Sequence, residues 1–175
     1  MPGNIGEIEK LDFIENKLVA VSREAFKGYM LRIYEITSSG IDCVYEKQVW
    51  CDYYSIFESQ IAFRIYQNNP EKRVIYIWDS AARKEFDTKI NPDIHPYYFT
   101  KYILHKDSLL YVKGNTNTLY RYNLTTSLCS EVFPQEKLQV KNMLYYKDEL
   151  IVHYYNEQKK NGEIVGITDK IDTNI

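Results

Sequence analysis

The sequence predicts an all-β chain made of four consecutive four-stranded antiparallel units of about 44 residues. Three observations carry this: a hairpin signature that recurs four times, a downstream strand signature that recurs in phase with it, and a composition suited to pleated sheets. Internal repetition is read first because it dictates the architecture.

The hairpin signature is an apolar pair, a polar turn and a second apolar run. It appears as Phe13-Ile14-Glu15-Asn16-Lys17-Leu18, Ile56-Phe57-Glu58-Ser59-Gln60-Ile61, Leu104-His105-Lys106-Asp107-Ser108-Leu109 and Tyr145-Tyr146-Lys147-Asp148-Glu149-Leu150. Each reads as a tight turn joining two strands. The closing residues Leu18, Ile61, Leu109 and Leu150 lie 43, 48 and 41 positions apart. The downstream signature, Leu31 to Glu35, Ile75 to Asp79, Leu119 to Asn123 and Ile164 to Thr168, recurs at 44, 44 and 45. Two registers with nearly one period are far harder to produce by chance than either alone.

A third strand in each unit then meets turn residues, Thr37-Ser38-Ser39-Gly40, Ser80-Ala81-Ala82-Arg83 and Thr125-Thr126-Ser127, before a fourth strand near 41–46, 84–88 and 128–133. The units run over about 7–48, 52–92, 97–137 and 140–175 of a single domain, 1–175. Only Asp169 to Ile175 follow the third strand of the last unit, which leaves it short of a fourth. Helical repeats need apolar positions three and four apart over longer stretches than these. A β-sandwich would not require the hairpin and the third strand to recur in phase. The units are therefore expected to be β-propeller blades.

Composition agrees with strands. The chain has 17 tyrosines against 7 glycines and 5 prolines, a bias toward side chains that fit a half-buried pleated surface. Its 24 acidic and 22 basic residues are interspersed, so no basic stripe is present to neutralise phosphates and nucleic acid is not an expected partner. The first ten residues lack a basic start and an apolar stretch, and no apolar run approaches spanning length, so no membrane association is expected. Cys43, Cys51 and Cys129 form an odd set without C-x-x-C spacing, which suits reduced thiols in a cytoplasmic protein.

The third strand of the second unit, Val74-Ile75-Tyr76-Ile77-Trp78-Asp79, carries a Trp-Asp dipeptide. In period, strand order and this dipeptide the chain resembles the WD-repeat superfamily of β-propellers. The resemblance implies a scaffold for protein partners. The other units hold Tyr34-Glu35, Tyr122-Asn123 and Ile167-Thr168 at the matching place, and no Gly-His pair precedes the first strand, so that family's characteristic hydrogen-bond network is not assembled here. Propellers usually close with more blades than four of this length. Open strand edges are therefore expected, covered by a second copy in a homodimer, by another protein, or by more of a longer propeller.

No phosphate-cradling, dinucleotide, H-E-x-x-H or nucleophile-elbow motif occurs, so no catalytic activity, no cofactor and no metal is expected. His95, His105 and His153 show no ligand spacing with the cysteines. Arg64 and His153 share a repeat position held by Val21 and Val112 elsewhere, and they face a channel or rim if that strand face is open. The long segment Thr88 to Thr100 offers His95, Tyr97 and Tyr98 for contact, unless the tyrosines begin the next strand. Trp50, Tyr53 and Tyr54 occupy the equivalent junction between the first two units. The expectation is a non-catalytic interaction scaffold with a protein partner. A carbohydrate-binding propeller using exposed aromatics and a fragment of a larger propeller enzyme are the alternatives.

Overall fold

The computed structural model describes residues 6–65, 74–90, 102–113, 118–133, 138–146, 149–156 and 161–168. Among them the chain is all-β, without helix, and it forms two compact units, Met1–Asn91 and Pro92–Ile175.

The first unit is one seven-stranded antiparallel sheet in chain order: β1 Glu7–Ile14, β2 Lys17–Glu24, β3 Gly28–Thr37, β4 Gly40–Phe57, β5 Gln60–Ile65, β6 Ile75–Asp79 and β7 Lys84–Asp87. The second unit has two sheets. One contains β8 Tyr102–His105, β9 Ser108–Lys113, β10 Thr118–Asn123 and β11 Cys129–Phe133; the other contains β12 Leu138–Tyr146, β13 Glu149–Asn156 and β14 Asn161–Thr168.

The recurring hairpins are present with one register. Ile14 pairs with Lys17, Phe57 with Gln60, His105 with Ser108 and Tyr146 with Glu149, each pair enclosing a two-residue loop. The first loop residues Glu15, Glu58 and Lys106 have φ of 52°, 49° and 52°. Such turns call for left-handed backbone at this position, which glycine or asparagine usually supplies.

Sequence and structure differ at the first junction. The fourth strand of the first repeat does not end near residue 46; β4 continues for 18 residues and becomes the first strand of the second repeat. Its early half pairs with β3 from Thr37↔Gly40 to Tyr29↔Val49, its late half with β5 from Tyr54↔Phe63 to Phe57↔Gln60, and the ladder breaks between Val49 and Tyr54. The segment from Glu46 to Tyr54 contains neither proline nor glycine, so a bend takes the place of a break. The fourth repeat holds three strands among the described residues, and the place of a fourth, after Thr168, lies outside them.

The bend lets the two repeats of the first unit pack face to face. Val19 and Val21 of β2, with Leu31 and Ile33 of β3, meet Ile61, Phe63 and Ile65 of β5 and Trp78 of β6 in one buried cluster. These side chains alternate along their strands with period two, which turns one sheet face into core. The second unit repeats the construction with Leu110, Val112 and Leu119 against Met143, Leu150, Val152 and Tyr154.

Candidate binding site at the bend of β4

Trp50, Tyr53 and Tyr54 lie at the bend, where the ladder is interrupted and side chains are released from strict alternation. Tyr54 is buried and Trp50 and Tyr53 are half-buried. Beside them runs the edge strand β1. The Tyr54 hydroxyl donates to Asp12 Oδ2 at 3.1 Å. Lys10 Nζ stands 3.8 Å from the centre of the Tyr54 ring and 5.9 Å from that of Tyr53, and it donates to the Tyr54 carbonyl at 3.5 Å. Lys10 and Asp12 are 3.9 Å apart. An ammonium over two phenol faces is held by the ring quadrupoles.

Burial, reinforced by the Asp12 charge, pushes the Tyr54 phenol far above its ordinary value. It stays protonated and acts as a hydrogen-bond donor. The cluster thus presents a fixed cation, a carboxylate and two partly exposed aromatic rings, which is equipment for recognition.

A second cluster joins the same two repeats, β4 to β7. The Tyr45 hydroxyl donates to Glu85, whose carboxylate also takes Lys47 Nζ at 3.0 Å. The Tyr45 ring lies 5.5 Å from Trp78 and 5.9 Å from Phe63. Burial and then the Glu85 bond drive the Tyr45 phenol well upward, so this cluster is a clamp between β4 and β7. The Trp-Asp dipeptide has a structural part as well. Trp78 is core, and Asp79 accepts from the Ala82 amide at 2.8 Å and from Gln60 Nε2 at 3.1 Å, fastening the β6–β7 turn.

The other sequence-derived candidates separate. Arg64 is 3% exposed on β5, whereas His153 at the same repeat position is exposed on β13. His95, Tyr97 and Tyr98 lie outside the described residues. His105 is buried, its ring stacked on Tyr145 at 3.7 Å. Among the described residues no three His, Cys, Asp or Glu side chains are grouped to hold a metal ion, and no helix is long and apolar enough to cross a membrane. Sequence reading missed Lys10 and Asp12, because only the return of the folded sheet brings β1 against a strand more than 40 positions away. The one available signal was the charged, alternating character of Glu7 to Ile14.

No family model and no curated protein matches this sequence. Solved structures do resemble it. The computationally designed Ika8 protein is 10% identical with a TM-score of 0.54, over 91% of this chain and 46% of that one. TolB from Acinetobacter baumannii is 12% identical with a TM-score of 0.56, over 91% and 43%. An auxiliary nutrient binding protein from Bacteroides thetaiotaomicron is 14% identical with a TM-score of 0.51, over 91% and 42%. The chain spans less than half the length of each. The designed protein and TolB have β-propeller-type folds, and the fold of this chain is of that type.

Proposed function

We propose that this chain is a non-catalytic interaction scaffold of β-propeller type that binds a protein partner through the bend of β4 and the neighbouring edge strand β1. The carrying observation is the cluster at that bend: half-buried Trp50 and Tyr53, with Lys10 fixed by the Tyr54 ring and Asp12. Aromatic anchors ringed by charge are the residue types that dominate binding energy at protein interfaces. Holding them on packed strands lowers the entropy lost on association. The repeats are read as WD-like, supported by buried Trp78 and the turn-fastening Asp79. A reducing, cytoplasmic setting is part of the reading, since Cys43 and Cys129 are free and exposed.

The test compares the wild-type chain with Trp50→Ala/Tyr53→Ala and with Lys10→Glu in quantitative capture from cell extract followed by binding of the identified partner. The reading expects one protein bound by wild type, with affinity falling about tenfold to a hundredfold in each variant and melting temperature nearly unchanged. A partner that binds all three chains equally removes the bend from the function. Saturable binding of an oligosaccharide, lost with the two aromatic substitutions, would replace the protein partner with a sugar stacked on those rings.

A further inference from the structure

Both inter-repeat cores follow one rule. In the second strand of the earlier repeat, the face holding Val19 and Val21, or Leu110 and Val112, packs toward the repeat that follows. In the later repeat, the opposite face, holding Ile61, Phe63 and Ile65, or Leu150, Val152 and Tyr154, packs toward the repeat that precedes. Each core uses one face of each of its two repeats; of the four faces left, those of the second and third repeats are buried at Ala62, Arg64, Leu109 and Tyr111, whereas those of the first and last repeats carry exposed apolar side chains.

The first repeat's leftover face is apolar. Register places Leu11 opposite Ala20 and Phe13 opposite Leu18, with Tyr34 next in the row and Ile36 paired to Ile41. Leu11 is 51% exposed, Phe13 63% and Ile41 63%. A groove of about 170 Å³ runs across this face between Ile8, Leu11, Ala20, Tyr34 and Ile41. The Arg32 guanidinium at its side is held by Ser22, Glu24 and Glu46, so its charge is compensated. The last repeat's leftover face pairs Leu144 with Ile151 and Asn142 with His153, and Leu144 is 45% and Tyr146 59% exposed.

We infer that the open face of the first repeat is covered by the open face of the last repeat in a second copy of this chain, head to tail, so that two copies close each other. The two faces correspond by repeat position to the two halves of an interface the molecule already builds twice. Pairing either face with itself would juxtapose like sides, an arrangement neither core uses. These 175 residues span 46% of the designed protein and 43% of TolB, so two copies of them match one such fold in length. A heterologous contact of this kind closes into a ring where its rotation permits. The inference does not depend on the bend of β4.

The experiment is light scattering of the purified 175-residue chain, whose single-copy mass is 20.8 kDa. Wild type is expected at twice that mass. Ile41→Glu and Leu144→Glu each put a carboxylate into the contact and are expected to raise the dissociation constant about a hundredfold or more. Both residues are exposed in the single chain, so circular dichroism and melting of the separated copies should match wild type. Mixing the two variants should restore the dimer, because a mixed pair keeps one unaltered contact. A wild-type chain that remains single at every concentration overturns the proposal. So does a dimer broken by only one of the variants, which marks a same-face contact, or by neither. Trp50→Ala/Tyr53→Ala is expected to leave the mass unchanged, so loss of partner binding and loss of pairing are read separately.

Discussion

The two units solve the same problem with different continuity. In the first, β4 runs unbroken from one repeat into the next and makes a single seven-stranded sheet; in the second, the corresponding strands β11 and β12 belong to separate sheets. The sequence explains the contrast. The first junction, Glu46 to Tyr54, has no proline or glycine, whereas Pro134 follows the last residue of β11. Proline cannot donate to a ladder and restricts the residue before it, so strands end there. Continuity also changes what ties the repeats together. The first unit adds polar clamps, Tyr45 to Glu85 with Lys47, Tyr54 to Asp12 and Arg83 to Glu35, to its apolar core. In the second unit the sheets meet through Leu110, Val112 and Leu119 on Met143 and Leu150, and through His105 stacked on Tyr145.

The largest expected effects are in the two cores. Phe63→Ala should cost about 3–5 kcal/mol and Leu110→Ala about 2–5 kcal/mol in denaturant titrations. Equal costs would make the apolar layer alone decisive in both units. The next effect separates them. Tyr45→Phe keeps the ring against Trp78 and Phe63 and removes only the bond to the Glu85 carboxylate, which predicts a loss of about 1.5–3 kcal/mol. Tyr111→Phe in the second unit removes a bond to the Cys129 sulfur at 3.3 Å and should cost about 0.5 kcal/mol or less. Similar losses from the two changes would mean that the Tyr45–Glu85 bond ties its unit no more strongly than the Tyr111–Cys129 contact ties the other.

Much of this fold was legible because sheet periodicity is local. The hairpins, the third strands and the fourth strands at β7 and β11 stand where the repeat put them, with bounds that differ by up to three residues. The missed continuation of β4 was readable in principle as an absence of punctuation, yet no propensity distinguishes a bend from a loop. The site was half legible. Tyr54 and its neighbours could be singled out, but Lys10 and Asp12 reach them only through the folding of the sheet, and Arg64 looked accessible because alternation does not say which face of a central strand is covered.

The hairpin loops give a smaller test that treats both units alike. Glu15, Glu58 and Lys106 hold left-handed backbone without being glycine, at a cost of roughly 1 kcal/mol each, offset in part because glycine makes the unfolded chain more flexible. Each should gain about 0.5 kcal/mol on replacement by glycine, seen as a raised denaturation midpoint with unchanged slope. A gain in one unit only would mean that the hairpins of the other are held by packing against neighbours instead of by the turn.

The smallest expected effect is the acid limb of the first unit. The hydrogen bond from Arg32 to Glu24, working against the desolvation of the carboxyl, holds that group below its usual value. For Asp79, burial acts in the opposite direction, but the amide of Ala82 and the side chain of Gln60 prevail and its value is lowered too. A depressed folded-state value means stability that is fully present above the unfolded carboxyl range, near pH 4, and that is lost as pH falls through the folded value. Glu24→Gln should therefore lower stability slightly at pH 7, lower it least at acid pH, and so flatten the dependence of stability on pH below about 4. The difference should stay under about 1 kcal/mol, because Arg32 keeps its bonds to Glu46 and Ser22 when Glu24 is neutralised. If Glu24→Gln left the acid limb as steep as in wild type, the Arg32 pair would be shown to persist in the unfolded chain or to contribute nothing, and Asp79 would be the remaining source of the slope.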